Sequence, residues 1–146
     1  MLLAVVSITA NAQVKEFERY SDTKNITYVY ISKSMLQMVG KKANLSIPGV
    51  NSYINNIINK LTGIQIITAE EKHTAARLRT ETLNFMKDGK YEQLMQVYED
   101  NEKVRIYHYE GKKQSVIIML NEEASETSVI AFSGSFTLKD MMSLTE

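Results

Sequence analysis

Two tight turns in the last third of the chain, each read separately, bring the same apolar residues onto one side of a sheet. If Asp100-Asn101 joins two antiparallel strands, Val97 stands opposite Val104 and Met95 opposite Ile106. If Gly111-Lys112 joins the next pair, Ile106 stands opposite Ile117 and Val104 opposite Met119. Val116, Ile118 and Leu120 then fall on the other side, beside Tyr107 and Tyr109. A one-residue slip would scatter the common face, so this agreement restricts the fold more than any single propensity does. Lys90 to Gln93 reads as a helical turn leading into the first of these strands, Leu94 to Glu99. Ser128 to Phe136 adds a fourth strand, in which Ile130, Phe132 and Phe136 alternate with smaller or polar residues.

The earlier part of the chain has a helical rhythm interrupted by two strands. Val14 to Tyr20 predicts a short amphipathic helix with Val14, Phe17 and Tyr20 inward. Ile26 to Ile31 is rich in β-branched and aromatic residues and apolar on both sides, which predicts a strand in the sheet interior. Ser32 or Ser34 can cap a helix through Met35, Leu36, Met38 and Val39 that stops at Gly40. Ser46-Ile47-Pro48 resembles a cap followed by a first-turn proline; the helix it predicts carries Val50, Tyr53, Ile54, Ile57, Ile58 and Leu61 on one face and ends at Gly63. Ile64 to Ile67 is a second strand. Thr68 and Glu71 form a capping box for a helix reaching about Lys87, with Ala75, Leu78, Thr82 and Phe85 buried beside Ala76, Leu83 and Met86. Thr137 to Asp140 caps a closing helix with Leu138, Met141, Met142 and Leu144. The fold class is α+β: an antiparallel meander of about four strands plus two earlier strands, with helices packed against the sheet. Residues 13–146 form a single domain.

Residues 1–12 have the look of a residual signal peptide. Leu2 to Ala10 is small or apolar and uncharged, and Ala10-Asn11-Ala12 places alanines where a signal peptidase needs small side chains. The run is well short of the roughly 20 residues that span a bilayer. Export to the periplasm or the medium is the expectation, with no transmembrane anchor. Cysteine is absent, so disulfides, thiolate ligands and acylation at a leading cysteine are all excluded. Lys+Arg and Asp+Glu both number 17, and no basic cluster offers a match to a phosphate backbone, so nucleic acid is not an expected partner.

Groups for chemistry are sparse. His73 and His108 are the only histidines and stand far apart in sequence, whereas hydrolytic zinc sites need three protein ligands. Each is more simply read as a structural side chain, and a hydrolase built on His73 or His108 is kept as an alternative. Ser133-Gly134-Ser135 lacks the pattern of a nucleophile elbow, and Gly134 reads as a bulge or a close packing point. Met35 and Met38 have a spacing compatible with copper(I), but they also fit the apolar stripe of their helix, where methionine fills core space. No cofactor is expected.

Tyr98, Arg105, Tyr107 and Tyr109 share the side of the meander opposite Met95, Val97, Val104 and Ile106. Tyrosine and arginine are enriched where proteins meet partners, which makes these four the candidate recognition surface. The competing reading is a sheet face covered by the chain's own helices. Several segments carry a family resemblance: Tyr30 to Leu36 after the first strand, Leu61 to Ile67, Tyr91 to Met95 before the meander, and Phe132 to Phe136. On these the chain resembles a family of exported Bacteroidetes proteins known as domain of unknown function 4252. The resemblance implies a role in envelope stress or regulation and carries no catalytic residues. The expected function is thus a non-enzymatic module binding another envelope protein, with a small-molecule or lipid carrier as a further alternative.

Overall fold

In the computed structural model, which describes residues 14–40 and 57–142, six strands form one antiparallel sheet. They are β1 (Ile26–Ser32), β2 (Leu61–Ala69), β3 (Glu92–Glu99), β4 (Glu102–Glu110), β5 (Ser115–Glu122) and β6 (Thr127–Gly134), in the spatial order β1-β2-β6-β5-β4-β3. Four α-helices accompany them among the described residues: α1 (Lys15–Glu18), α2 (Lys33–Gly40), α3 (Lys72–Asp88) and α4 (Leu138–Met142). The architecture is mostly sheet with a few helices, roughly α+β. Residues 1–13, where the signal-peptide reading falls, lie outside the described residues, as does most of the helix expected after Pro48.

Both faces of the central strands are buried. On one, Ile67, Val129, Ile118 and Leu120 meet Ala75, Leu78 and Met86 of α3, while Val14, Phe17 and Tyr20 close the side over β1 and β2. On the reverse face, Ile64, Phe132 and Ile117 gather Leu36, Ile57, Leu61 and Phe136. Burial of such side chains is worth roughly 1.5–3 kcal/mol each, which makes this double-sided centre the main source of stability. The N-terminal segment is held by a buried amide: Val14 N–H donates to Gln65 Oε1 at 2.6 Å, and Gln65 Nε2 donates back to Val14 O at 3.2 Å. From its outer side, Glu81 accepts from Arg19 Nη2, Tyr20 OH and Arg77 Nε, tying that segment to α3.

The first hairpin has the expected register, Val97 opposite Val104 and Met95 opposite Ile106 across Asp100-Asn101. Asp100 takes a positive φ of 51°, a conformation that aspartate tolerates better than most residues. The second hairpin differs. Its loop is Gly111–Gln114, closed by Gly111 N–H donating to Gln114 O, so Ile106 faces Met119 and His108 faces Ile117. The shift is two residues, which preserves the side each residue takes. β1 lies at a sheet border, not the interior; its apolar residues on both sides are explained by helical segments packing partly over each. Lys90 to Gln93 is not a helical turn, because β3 already starts at Glu92 after a positive φ at Lys90. Ala76, expected beside the buried stripe of α3, is exposed.

Gly63 does not stop a helix. Ile58–Lys60 is a 3₁₀ turn, Leu61 opens β2, and Gly63 pairs with Ser133 just past a register shift between Leu61 and Gly63. The cap of α3 also moves. Thr68 remains in β2, and Glu71 itself is the N-cap, accepting from the N–H groups of His73 and Thr74 and from Thr74 Oγ1 at 2.6 Å. The reciprocal box expected there occurs instead at α4, where Thr137 N–H donates to Asp140 Oδ2 and Asp140 N–H to Thr137 Oγ1.

Those bonds hold the Glu71 carboxyl at a pKa of about 2, Thr74 Oγ1 contributing most, against an ordinary 4.5. The unfolded chain therefore takes up this proton first as the pH falls. The cap's contribution is complete above about pH 4.5 and is lost between there and about pH 2. Glu71→Gln is expected to flatten that part of the melting-temperature curve, measured by circular dichroism from neutral to acid pH. An unchanged acid slope would assign the loss to other carboxylates.

Candidate functional site

Antiparallel register decides which side chains stand together. Across β4 and β5, Lys103 faces Glu122, Arg105 faces Leu120, Tyr107 faces Ile118 and Tyr109 faces Val116. Across β3 and β4, Gln96 faces Arg105 and Tyr98 faces Lys103. The four residues singled out from sequence thus share one face, the one bearing α3.

Depth separates them. Arg105 is not a free anchor: its side chain is 18% exposed, and its Nη2 lies 3.8 Å from Glu122 Oε2. Arg79 of α3 reaches the other oxygen of the same buried carboxylate at 3.5 Å. A carboxylate in this position is tolerated because two cations bracket it, an arrangement that sequence reading missed since the three residues are remote along the chain. Tyr107 packs partly against the α3-side core. Tyr109 stands 5.4 Å from the Tyr91 ring, at the end of an aromatic series running through Phe85 and Phe17 to Tyr20. Burial pushes the Tyr91 phenol above its usual range. Tyr98 is the most open member, 60% exposed against 40% for Tyr109, with Lys103 Nζ 4.7 Å from its ring centre.

The two histidines occupy different faces of the sheet. His73 is exposed in the first turn of α3. His108 lies on the reverse face, buried opposite Ile117, where desolvation lowers its pKa although Glu110 and Glu92 oppose the shift. The sheet separates the two. Among the described residues no group of three or more His, Asp or Glu could hold a metal ion. Met35 and Met38, read as core, are exposed, because Leu36 is the residue of α2 that turns inward. A depression of about 300 Å³ lies at Asn25–Thr27, Thr68, Glu70 and Glu71. It is an open, largely polar site at one end of β1 and β2, beside the Glu71 cap of α3.

β3 is the more informative surface. It borders the sheet, and all eight of its residues are exposed. Leu94, Met95, Val97 and Tyr98 are half the large apolar side chains that the described residues leave exposed. Edge strands usually carry a proline, a lysine or a bulge that discourages pairing. β3 has a register shift between Gln93 and Met95, but no proline and no lysine. The apolar residues on both sides of Leu94–Tyr98 are legible as a strand; their exposure in the assembled sheet is not.

These features define an α+β domain built on one antiparallel sheet with an uncovered, partly apolar edge. Among the described residues no helix is long and apolar enough to cross a membrane. Residues 20–144 match the family described as Domain of unknown function (DUF4252), and the chain belongs to that family. No curated protein and no solved structure matches it.

Proposed function

We propose that this is an exported envelope protein that binds another protein through the β3–β4 ribbon and carries out no catalysis of its own. The exposure of β3 along its whole length, with four large apolar side chains outward, carries this reading. An unpaired strand offers backbone donors and acceptors in register, and Tyr98 and Tyr109 add aromatic contact area on the α3 side. The signal-like composition of residues 1–12 supports a periplasmic or secreted location.

A photo-crosslinking residue placed at Tyr98 is expected to capture a protein partner in intact cells, whereas the same residue at exposed Lys72 captures none. Adding Val97→Ser should cut the Tyr98 adduct by about tenfold, the usual consequence of losing a hot-spot contact. Because Val97 is exposed, stability should change by less than about 0.5 kcal/mol. Equal adducts at both positions would count against the ribbon.

A further inference from the structure

We infer that the occupant of the β3 edge is an extended segment of a partner protein that adds a strand beside Met95–Glu99 and carries lysine or arginine where it meets the hairpin tip. This rests on the reading of the ribbon as the binding surface and deepens it. The register shift ends at Met95, and from there to Glu99 every β3 residue pairs regularly with β4 on its inner side. Along such a stretch, alternate residues turn their N–H and C=O groups away from the partner strand and leave them free for another. The bulge blunts the root of the edge and leaves its outer half open.

Side-chain chemistry then selects the occupant. Met95 and Val97 lie on the reverse face, Gln96 and Tyr98 on the α3 face, so an added strand meets apolar neighbours at alternate positions. At the tip Glu99, Asp100 and Glu102 are all exposed. The cations nearest in sequence are engaged, Lys103 over the Tyr98 ring and Arg105 with Glu122. A second copy of this chain is a poorer fit, because antiparallel self-pairing over the open stretch sets Glu99 of one copy against Met95 of the other and brings no basic side chain from β3 to the acidic tip. Like charges directly opposite each other weaken a strand pair, and opposite charges strengthen it.

The test uses the isotopically labelled full chain and two synthetic heptapeptides with the same alternating Val/Thr centre, one ending in lysine at both termini and one in glutamate. The lysine-ended peptide is expected to bind about fivefold more tightly and to slow amide exchange within Met95–Glu99. Glu99→Lys with Glu102→Lys should remove or reverse that preference while circular dichroism stays unchanged. Equal affinity for both peptides, protection confined to β1, or no binding by either overturns the inference. Concentration-dependent self-association protecting β3 overturns it in favour of a second copy. Crosslinking at Tyr98 is read separately, so a partner captured there without a lysine preference would sink the strand-addition inference and leave the ribbon as the binding surface.

Discussion

Gly134→Val is expected to cost about 3 kcal/mol or more, and Gly134→Ala only somewhat less. A Cβ at this position would fall on the carbonyl oxygen of Lys60 and within 2.9 Å of Leu61 Cα. Both are backbone atoms, so no side-chain rotation relieves the clash. The spot is also pinned from several directions. Gly134 pairs with Leu61 on one side and Ser115 on the other, and Ser135 N–H donates to Lys60 O at 3.0 Å. Moving β2 aside would disturb the reverse-face core through Leu61 and Ile64. Against a total stability of about 5–15 kcal/mol for a domain of this kind, such a loss is large. Urea unfolding of the alanine variant measures it, and a cost below about 1 kcal/mol would mean that the close approach can open cheaply.

Phe17→Ala is expected to cost about 3–4 kcal/mol, near the lower end for deleting a buried phenyl ring. Phe17 is 1% exposed and meets Phe85 edge-on at 5.4 Å. Its element is too short to hold itself: α1 has four residues and runs straight into the 3₁₀ turn Arg19–Asp22. The segment therefore stays docked through Phe17, Tyr20 and the paired bonds between Val14 and Gln65. With the ring gone, Val14 to Asp22 should detach before the sheet unfolds, which caps the loss and leaves Gln65 bonded to Tyr28 OH but not to Val14. Hydrogen exchange of these amides should rise together with a lower urea midpoint. Unchanged exchange over Val14–Asp22 would show that the amide clamp suffices alone.

The parts of this fold that could be read from sequence are those governed by short-range rules. Val97 opposite Val104 follows from a two-residue turn, and Val14, Phe17 and Tyr20 follow from helical spacing. The Thr137–Asp140 box was legible because both partners lie within one turn. Errors arose where two local signals competed or a distant partner decided. Thr68 and Glu71 match a capping box, yet Thr68 is kept in β2 by its pairing with β1 and β6, leaving Glu71 to cap alone. Gly63 looked like a helix stop because its role depends on Ser133, seventy residues away. The same limit applies to the site. Tyr98, Arg105, Tyr107 and Tyr109 were placed on one face correctly by alternation, but alternation says nothing of depth. Glu122 drawing Arg105 inward, and α3 stopping short of β3, are properties of the assembled sheet.

The placement of β6 has a consequence for how the protein is made. It is the last of the described strands along the chain, yet it sits between β2 and β5 and is the piece through which the two halves of the sheet are hydrogen-bonded. Until β6 is in place, the antiparallel β1–β2 pair and the β3–β5 ribbon leave Ile67 and Ile118 uncovered by their common neighbour. Neither piece can close against the other until Thr127–Gly134 pairs with both. Closure of the sheet therefore waits on β6, and a chain cut before Thr127 keeps two unjoined sheet pieces on one polypeptide, linked through α3, each with an exposed border, in place of a shortened version of the same fold.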